Sequence, residues 1–496
     1  MTAAPTLPRL SRTILPAAEA ARLDLPERAV QFGTGAFLRG FIDFFVDAAN
    51  RAGAFNGRVV AVGSTGSGRD EILEAQDGLY TLVSQGMVNG AVVQDTRVIS
   101  SVSRALSANA EWDAVLAVAR SPELALVFSN TTEVGIALDA SDTFEMTPPR
   151  SFPAKLARFL YERAQAFDFD PAKGVVVVPC ELIEDNGAKL KAIVRAHAER
   201  WALDARFGRW LDTIPFCDTL VDRIVPGAPK GAEAERLRDS LGYEDGLMTT
   251  CEPYRLFAIR GDAALKARLG FVDADPGIVV ADDITPYREL KVRLLNGTHT
   301  AFVPAALLAG CETVREAVEH PLVGQLVRRL MFDEIAPTVP VAEGSAEQFA
   351  RDVLDRFSNP FIRHALVDIT LQATMKTRVR LVPTIQRYAA KRGEAPPALA
   401  FGLAAYLMLQ RPEHEAMRKT DDQAGAVRDA WAAHASSGGE DVAELVRVVL
   451  SNRALWDADL TEVPGFGVSV TASLLGMLRD GVPATLEALL AAPEPK

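Results

Sequence analysis

The chain has 496 residues, of which 48% are apolar and 24% charged, and its formal charge is −12. That balance excludes disorder, a collagen-like repeat and a disulfide scaffold, and it argues against broad nucleic-acid binding, which needs a dense basic surface. The length allows two or three domains with a sizeable core.

Residues 1–27 read as an Ala/Pro/Leu-rich entry segment. Arg28–Phe32 is a short apolar run that ends in the glycine loop GTGAFLRG (33–40), and the amphipathic FIDFFVDAAN (41–50) follows, which predicts strand, tight turn, helix. A second strand is predicted over Arg58–Val62, before the loop GSTGSGR (63–69), with further strands at Leu124–Phe128 and Val175–Val178 and a helix over Ala154–Phe167. Strands alternating with helices predict βαβ units on a mainly parallel sheet. From Pro286 the sequence turns Leu/Ala/Arg-rich with helical spacing. The expected fold is therefore α/β, with a Rossmann-like dinucleotide-binding domain over residues 1–285 and a mostly α-helical domain over 286–496.

Gly33 and Gly35 fit a turn whose backbone N–H groups approach a pyrophosphate. Leu38 stands where the usual fingerprint has its third glycine, with Gly40 two residues later, so an ordinary tight turn is the competing reading. No acid stands at the end of the second strand, where one would hold the adenosine ribose. Gly63, Ser64 and Thr65 are there instead, with Arg69 nearby, which leaves NAD and NADP both open. Asn186 lies beyond the VVVV strand, as a ligand-facing group or as the turn residue of Asn-Gly.

KVRLLNGTH (291–299) runs into an apolar helical stretch. At 3.6 residues per turn, His299 falls about 80° and Asn296 about 140° from Lys291, on one broad face. A lysine, an amide and an imidazole beside an apolar stretch suit acid–base catalysis. The other reading is a solvent face, with Lys291 exposed and His299 packed as a neutral core residue.

Cys180, Cys217, Cys251 and Cys311 are scattered, and the six histidines show no metal-ligand spacing. The N-terminus has no signal-peptide order, and the longest apolar runs fall short of the ~20 residues of a bilayer span. The expectation is a reduced, cytoplasmic, metal-independent protein.

These segments, together with QDGLYT (76–81), VFSNTTEVGI (127–136), VPCELIEDNG (178–187), TLVDRIV (219–225), RFSNPFIRH (356–364) and WDADLTEVPG (456–465), carry a resemblance over nearly the whole chain. It resembles the polyol-specific long-chain dehydrogenases, the mannitol dehydrogenase family, and K-x-R-x-L-N-x-x-H is specific to that family. SNTTE and PCELI-x-x-NG look like the branch acting on tagaturonate, where mannitol and fructuronate members show Cys-Asp-Asn. The resemblance implies NAD-dependent, zinc-independent, reversible reduction of tagaturonate to altronate. Fructuronate, mannitol or fructose is the alternative substrate, and a non-catalytic nucleotide sensor is the rival of another class.

By the same resemblance Lys291 matches the general acid/base, Asn186 and Asn296 the amides on the reacting oxygen, and His299 a substrate-hydroxyl partner. Gly33, Gly35 and Phe37 match the pyrophosphate loop, and Asn130, Thr131 and Thr132 the surroundings of the nicotinamide ribose. The implied partner is a sugar acid, with no nucleic acid or membrane, and the implied assembly is a monomer or weak homo-oligomer. Two departures from the mannitol-type pattern stand out. Arg288 replaces a glutamate three residues before Lys291, which removes the expected proton route. Val367 and Asp368 replace arginines after Asn359-Pro360. Arg363, His364 and Lys376 are therefore the candidate cations for a uronate carboxylate, with surface charge as their other role.

Overall fold

The central sheet is built from strands that read as nearly unbroken apolar runs, because both of their faces are covered. In the computed structural model, which describes residues 7–64, 68–434 and 438–492, the chain divides into two compact units. One comprises Met1–Gln85 with Val93–Ile284, the other Gly86–Val92 with Thr285–Lys496.

In the first unit the strands are β1 (Glu27–Phe32), β2 (Arg58–Gly63), β3 (Tyr80–Val88), β4 (Ala91–Ile99), β5 (Val102–Ser107), β6 (Leu126–Ser129), β7 (Val176–Pro179), β8 (Thr219–Asp222), β9 (Thr249–Cys251), β10 (Leu256–Arg260) and β11 (Ile278–Ala281). Five of them form a parallel sheet in the order β5-β2-β1-β6-β7. The chain builds outward from β1 through β2 to β5, then returns to β6 on the other side of β1. That reversal makes the crevice at the carboxyl ends of β1 and β6 the place where such sheets take ligands. Alternate residues feed opposite layers, as the strand period requires. Val30, Phe32, Val60 and Val62 pack with Leu156 and Phe159, while Ala29, Val59 and Ala61 pack with Phe41 and Phe45. The α/β class is as expected. β5, with Ser103, Arg104 and Ser107 among its apolar residues, offers no continuous run to read in the sequence. Two three-stranded sheets, β11-β10-β8 and β4-β3-β9, complete the unit.

In the second unit the described regular structure from Thr285 on is helical. Helix Pro397–Leu409 is apolar all round and buried along its length, the mark of a central helix. It packs on helices Thr298–Leu308 and Phe466–Ala491. Gly402 makes the first contact possible, since a Cβ there would lie 2.6 Å from the Ala301 carbonyl oxygen. The tip of the β3–β4 arm belongs to this unit, where Gly90 N–H donates to Asp355 Oδ1 at 3.1 Å.

Candidate functional site

The glycine loop opens at the end of β1. Gly33 has φ +138°, and a Cβ there would lie 2.8 Å from Leu38 Cδ1 and 3.5 Å from the Asn130 carbonyl oxygen. Around Gly35 a Cβ would meet nothing within 4 Å, so the backbone is open there to an incoming group. The incomplete fingerprint now has a physical account. Leu38 fills the space beside Gly33, and Gly40 does the close-packing work, since its Cβ would lie 2.8 Å from Val225 Cγ1. Arg39, buried, ties the loop down by donating to the Thr34 carbonyl at 2.5 Å and to Thr249 Oγ1. Phe37 turns its ring into the core, stacked on Phe41 at 4.9 Å, so only its backbone belongs to the loop.

The end of β2 carries an acid after all. Asp70, from the first turn of helix Arg69–Ala75, brings Oδ2 to 3.8 Å from the Cβ position of Gly63, where Thr34 Cγ2 also lies at 3.6 Å. Its sequence signal is an acid in a helix's first turn behind the left-handed Gly68 (φ +69°). Thr65 lies outside the described residues.

The loop after β6 is braced by a residue that sequence reasoning missed. Glu181, buried, accepts the Thr131 N–H at 2.9 Å and the Ser129 hydroxyl at 3.2 Å, while Asn130 Nδ2 donates to the Cys180 carbonyl at 2.8 Å. Burial raises the Glu181 carboxyl, with those two donors opposing. Asn130 and Thr131 are thus fixed in place and Thr132 is exposed.

Asn186 is fully buried, and its carboxamide is spent within the unit. Nδ2 donates to the carbonyls of Pro179 (3.2 Å) and Glu181 (3.1 Å) and to Thr219 Oγ1 (2.9 Å). Oδ1 accepts the N–H groups of Gly187 and Thr219, both at 2.9 Å. The Asn-Gly pair here starts helix Asn186–Arg200, and Gly187 is required because a Cβ would run into the Cys217 carbonyl.

In the second unit, residues Lys291–Gly297 form a π-helix between helices Thr285–Leu290 and Thr298–Leu308. The i→i+5 winding closes most of the angle that a uniform 3.6-residue helix would leave between Lys291 and Asn296, and stacks them on one face. Both are half-buried. The Asn296 carbonyl accepts from Thr300 Oγ1 at 2.9 Å and from Arg380 Nη1 at 3.5 Å. Among the described residues its carboxamide has no protein partner, the reverse of Asn186. His299 is buried against Phe357, with ring centroids 4.2 Å apart, and its Nε2 is unpartnered. Burial, then the charges of His364, Arg380 and Arg356, hold the imidazole well below its ordinary range, so it is neutral.

The remaining candidates divide. His364 sits edge-on to His299 at 5.2 Å. Lys376 donates to the Ile369 carbonyl at 3.1 Å, and its pKa is lowered by burial and by Arg380. Arg363 stands on the surface, its side chain 76% exposed and paired with Glu312 at 3.1 Å. Arg293, between Lys291 and Asn296 in sequence, is a brace. It donates to the carbonyls of Val379 (2.6 Å) and Arg380 (3.0 Å) and pairs with Glu289. Against the cost of burial, Arg293 and Arg387 hold the Glu289 carboxyl below the usual carboxylate range.

Among the described residues no group of three or more His, Cys, Asp or Glu could hold a metal ion. Among the described residues, too, no helix is long and apolar enough to cross a membrane.

Comparison with known proteins gives two family-model matches: the mannitol dehydrogenase Rossmann domain over residues 27–271 and the mannitol dehydrogenase C-terminal domain over 283–478. The altronate oxidoreductase of Klebsiella pneumoniae (strain 342) is 42% identical over 463 residues, 92% of this chain and 95% of that protein. The altronate oxidoreductase of Bacillus subtilis (strain 168) is 42% identical over 440 residues, 88% and 90% of the two chains. Two solved structures share the fold at 24% identity. Pseudomonas fluorescens mannitol 2-dehydrogenase, a ternary complex with NAD and D-mannitol, has TM-score 0.66 and covers 95% of this chain and 96% of its own. Substrate-free D-sorbitol dehydrogenase has TM-score 0.74 and covers 94% and 96%.

Proposed function

Since the chain belongs to the mannitol dehydrogenase family and is an oxidoreductase acting on CH–OH groups, we propose that it interconverts D-tagaturonate and D-altronate with NAD as cofactor. The observation that carries the chemistry is the π-turn that presents Lys291 and the unspent carboxamide of Asn296, with the neutral His299 in the first turn of the helix that follows. The substrate assignment is supported by the altronate oxidoreductases, matched over about nine-tenths of both chains.

The first unit suits a dinucleotide. The open backbone at Gly35 and the positive φ of Gly33 leave room for a pyrophosphate, and the Asp70 carboxylate beside Gly63 suits the hydroxyls of an adenosine ribose and repels a 2′-phosphate. When bound, the nicotinamide supplies or accepts the hydride.

The chain's own residues handle the oxygen. Lys291 Nζ gives a proton to the ketone oxygen in reduction and takes it back in oxidation. Asn296 Nδ2 donates to the same oxygen as negative charge develops on it, an interaction worth on the order of 10²-fold or more in rate. His299 Nε2 accepts a substrate hydroxyl. Glu289 is paired with Arg293 and Arg387, which hold its carboxyl below the usual carboxylate range against the cost of burial. Asn186 serves by holding the loop after β7, because direct donation to substrate would break one of its present bonds.

Absorbance at 340 nm with tagaturonate, fructuronate and fructose, each against NADH and NADPH, tests the reading. Loss of NADH with tagaturonate well above the others is expected. Preference for fructuronate or fructose overturns the substrate, and no turnover with any pair overturns the enzymatic reading in favour of a sensor.

A further inference from the structure

Three arginines, Arg58, Arg163 and Arg380, are each pushed down to about 10 by burial. Arg163 is a closed cage, and Arg58 is closed at both terminal nitrogens with only its Nε left without a partner among the described residues. Arg58 donates to the carbonyls of Leu23, Asp77 and Val102, and Arg163 to those of Lys173, Ala119, Ser121 and Leu124. Desolvation of a guanidinium is tolerated where its nitrogens are spent in this way, as all three are at Arg163.

Arg380 is built differently. Nη1 alone is used, at 3.2 Å to Thr300 Oγ1 and 3.5 Å to the Asn296 carbonyl. Among the described residues Nε and Nη2 carry no bond and no carboxylate pairs with it. Its backbone is fixed from behind, because Arg293 grips the carbonyls of Val379 and Arg380 at the end of helix Ala373–Arg380. Its charge is felt by two neighbours, lowering both His299 and Lys376. A half-buried cation with an open fork, set against the turn that carries Asn296, is placed to take an anion.

We propose that Arg380 is the anchor for the substrate's carboxylate, taken as a fork on its free Nε and Nη2 edge, and hence the residue that selects a sugar acid over a neutral sugar. This rests on the proposed function. Arg363, the candidate that the sequence offers beside Asn359-Pro360, already spends its charge on Glu312 at the surface. A neutral ketose has nothing to offer the fork, and rejection of a ligand lacking the matched polar group is where recognition is strongest.

The test compares wild type, Arg380→Met and Arg380→Lys on D-tagaturonate and on D-tagatose, which carries CH2OH in place of the carboxylate. NADH binding by fluorescence and the thermal midpoint report the fold. The wild type should prefer the uronate. Arg380→Met should lower the uronate-to-ketose ratio of kcat/KM by about 30-fold or more, chiefly through the uronate KM, with NADH affinity kept. Arg380→Lys should retain part of the preference, because charge survives without the fork. An unchanged ratio in Arg380→Met, or equal loss on both substrates, overturns the anchor while leaving the uronate function standing. A wild type with no preference for the uronate overturns the function itself.

Discussion

Lys291 and Asn296 stand one π-helical turn apart, the lysine at the first residue of the turn and the carboxamide five residues on. The wide turn brings an amine and a carboxamide, the proposed proton donor and oxyanion donor, to one face from a single short segment. The two asparagines that the sequence puts on an equal footing are then unequal in the structure.

Replacing Asn296 by alanine should lower kcat on the order of 10²-fold while moving the thermal midpoint little, because its carboxamide holds nothing in the protein. Asn186→Ala should lower the midpoint by several degrees, since it strands the buried groups of Pro179, Glu181 and Thr219. Calorimetry beside steady-state kinetics separates them. Equal thermal loss in both variants would contradict the division of roles.

Asp70→Ser should raise KM for NADH and narrow the preference over NADPH, by about tenfold in the ratio of kcat/KM, because the carboxylate beside Gly63 no longer meets the ribose. An unchanged ratio would remove Asp70 from the cofactor site.

Asp43 lies beneath the glycine loop. Gln31 Nε2 reaches both the Gly33 carbonyl (3.2 Å) and Asp43 Oδ2 (3.4 Å), and Tyr80 hydroxyl stands 3.1 Å from the same oxygen. Complete burial pushes the carboxyl up to about 7, with the Tyr80 and Gln31 hydrogen bonds opposing. The folded state therefore favours the neutral acid. The stability this confers is fully present below the unfolded carboxyl's pKa of about 4 and is lost as pH rises through 7. Asp43→Asn, neutral at every pH, should gain on the wild type between pH 5 and 8, by on the order of 4 kcal/mol at most. A gap independent of pH in denaturant titrations would contradict a protonated Asp43.

The parallel sheet and the helical half could be read from the chain because they rest on local periodicity. The VVVV run reads as a buried strand wherever it sits, and the glycine loop follows its strand directly. What escaped depends on contacts across the chain or on a break in the period. The 3.6-residue arithmetic puts Asn296 on the same broad face as Lys291 but about 140° round it, because nothing in KVRLLNGTH announces the wider turn. Asp70 reaches the β2 end from the next helix, past the strand terminus where the usual fingerprint has its acid. Asn186 looks like a free amide until Thr219, 33 residues on, folds onto it. Arg380 meets Asn296 across 84 residues, so no local pattern links them.

The central claim is that Lys291 moves the proton. Lys291→Ala should lower kcat for tagaturonate reduction by about 10³-fold, within the span usual for a general acid, while NADH binding and the thermal midpoint stay at wild-type values. Added small primary amines should restore part of the rate. Turnover within about threefold of wild type would contradict the mechanism outright.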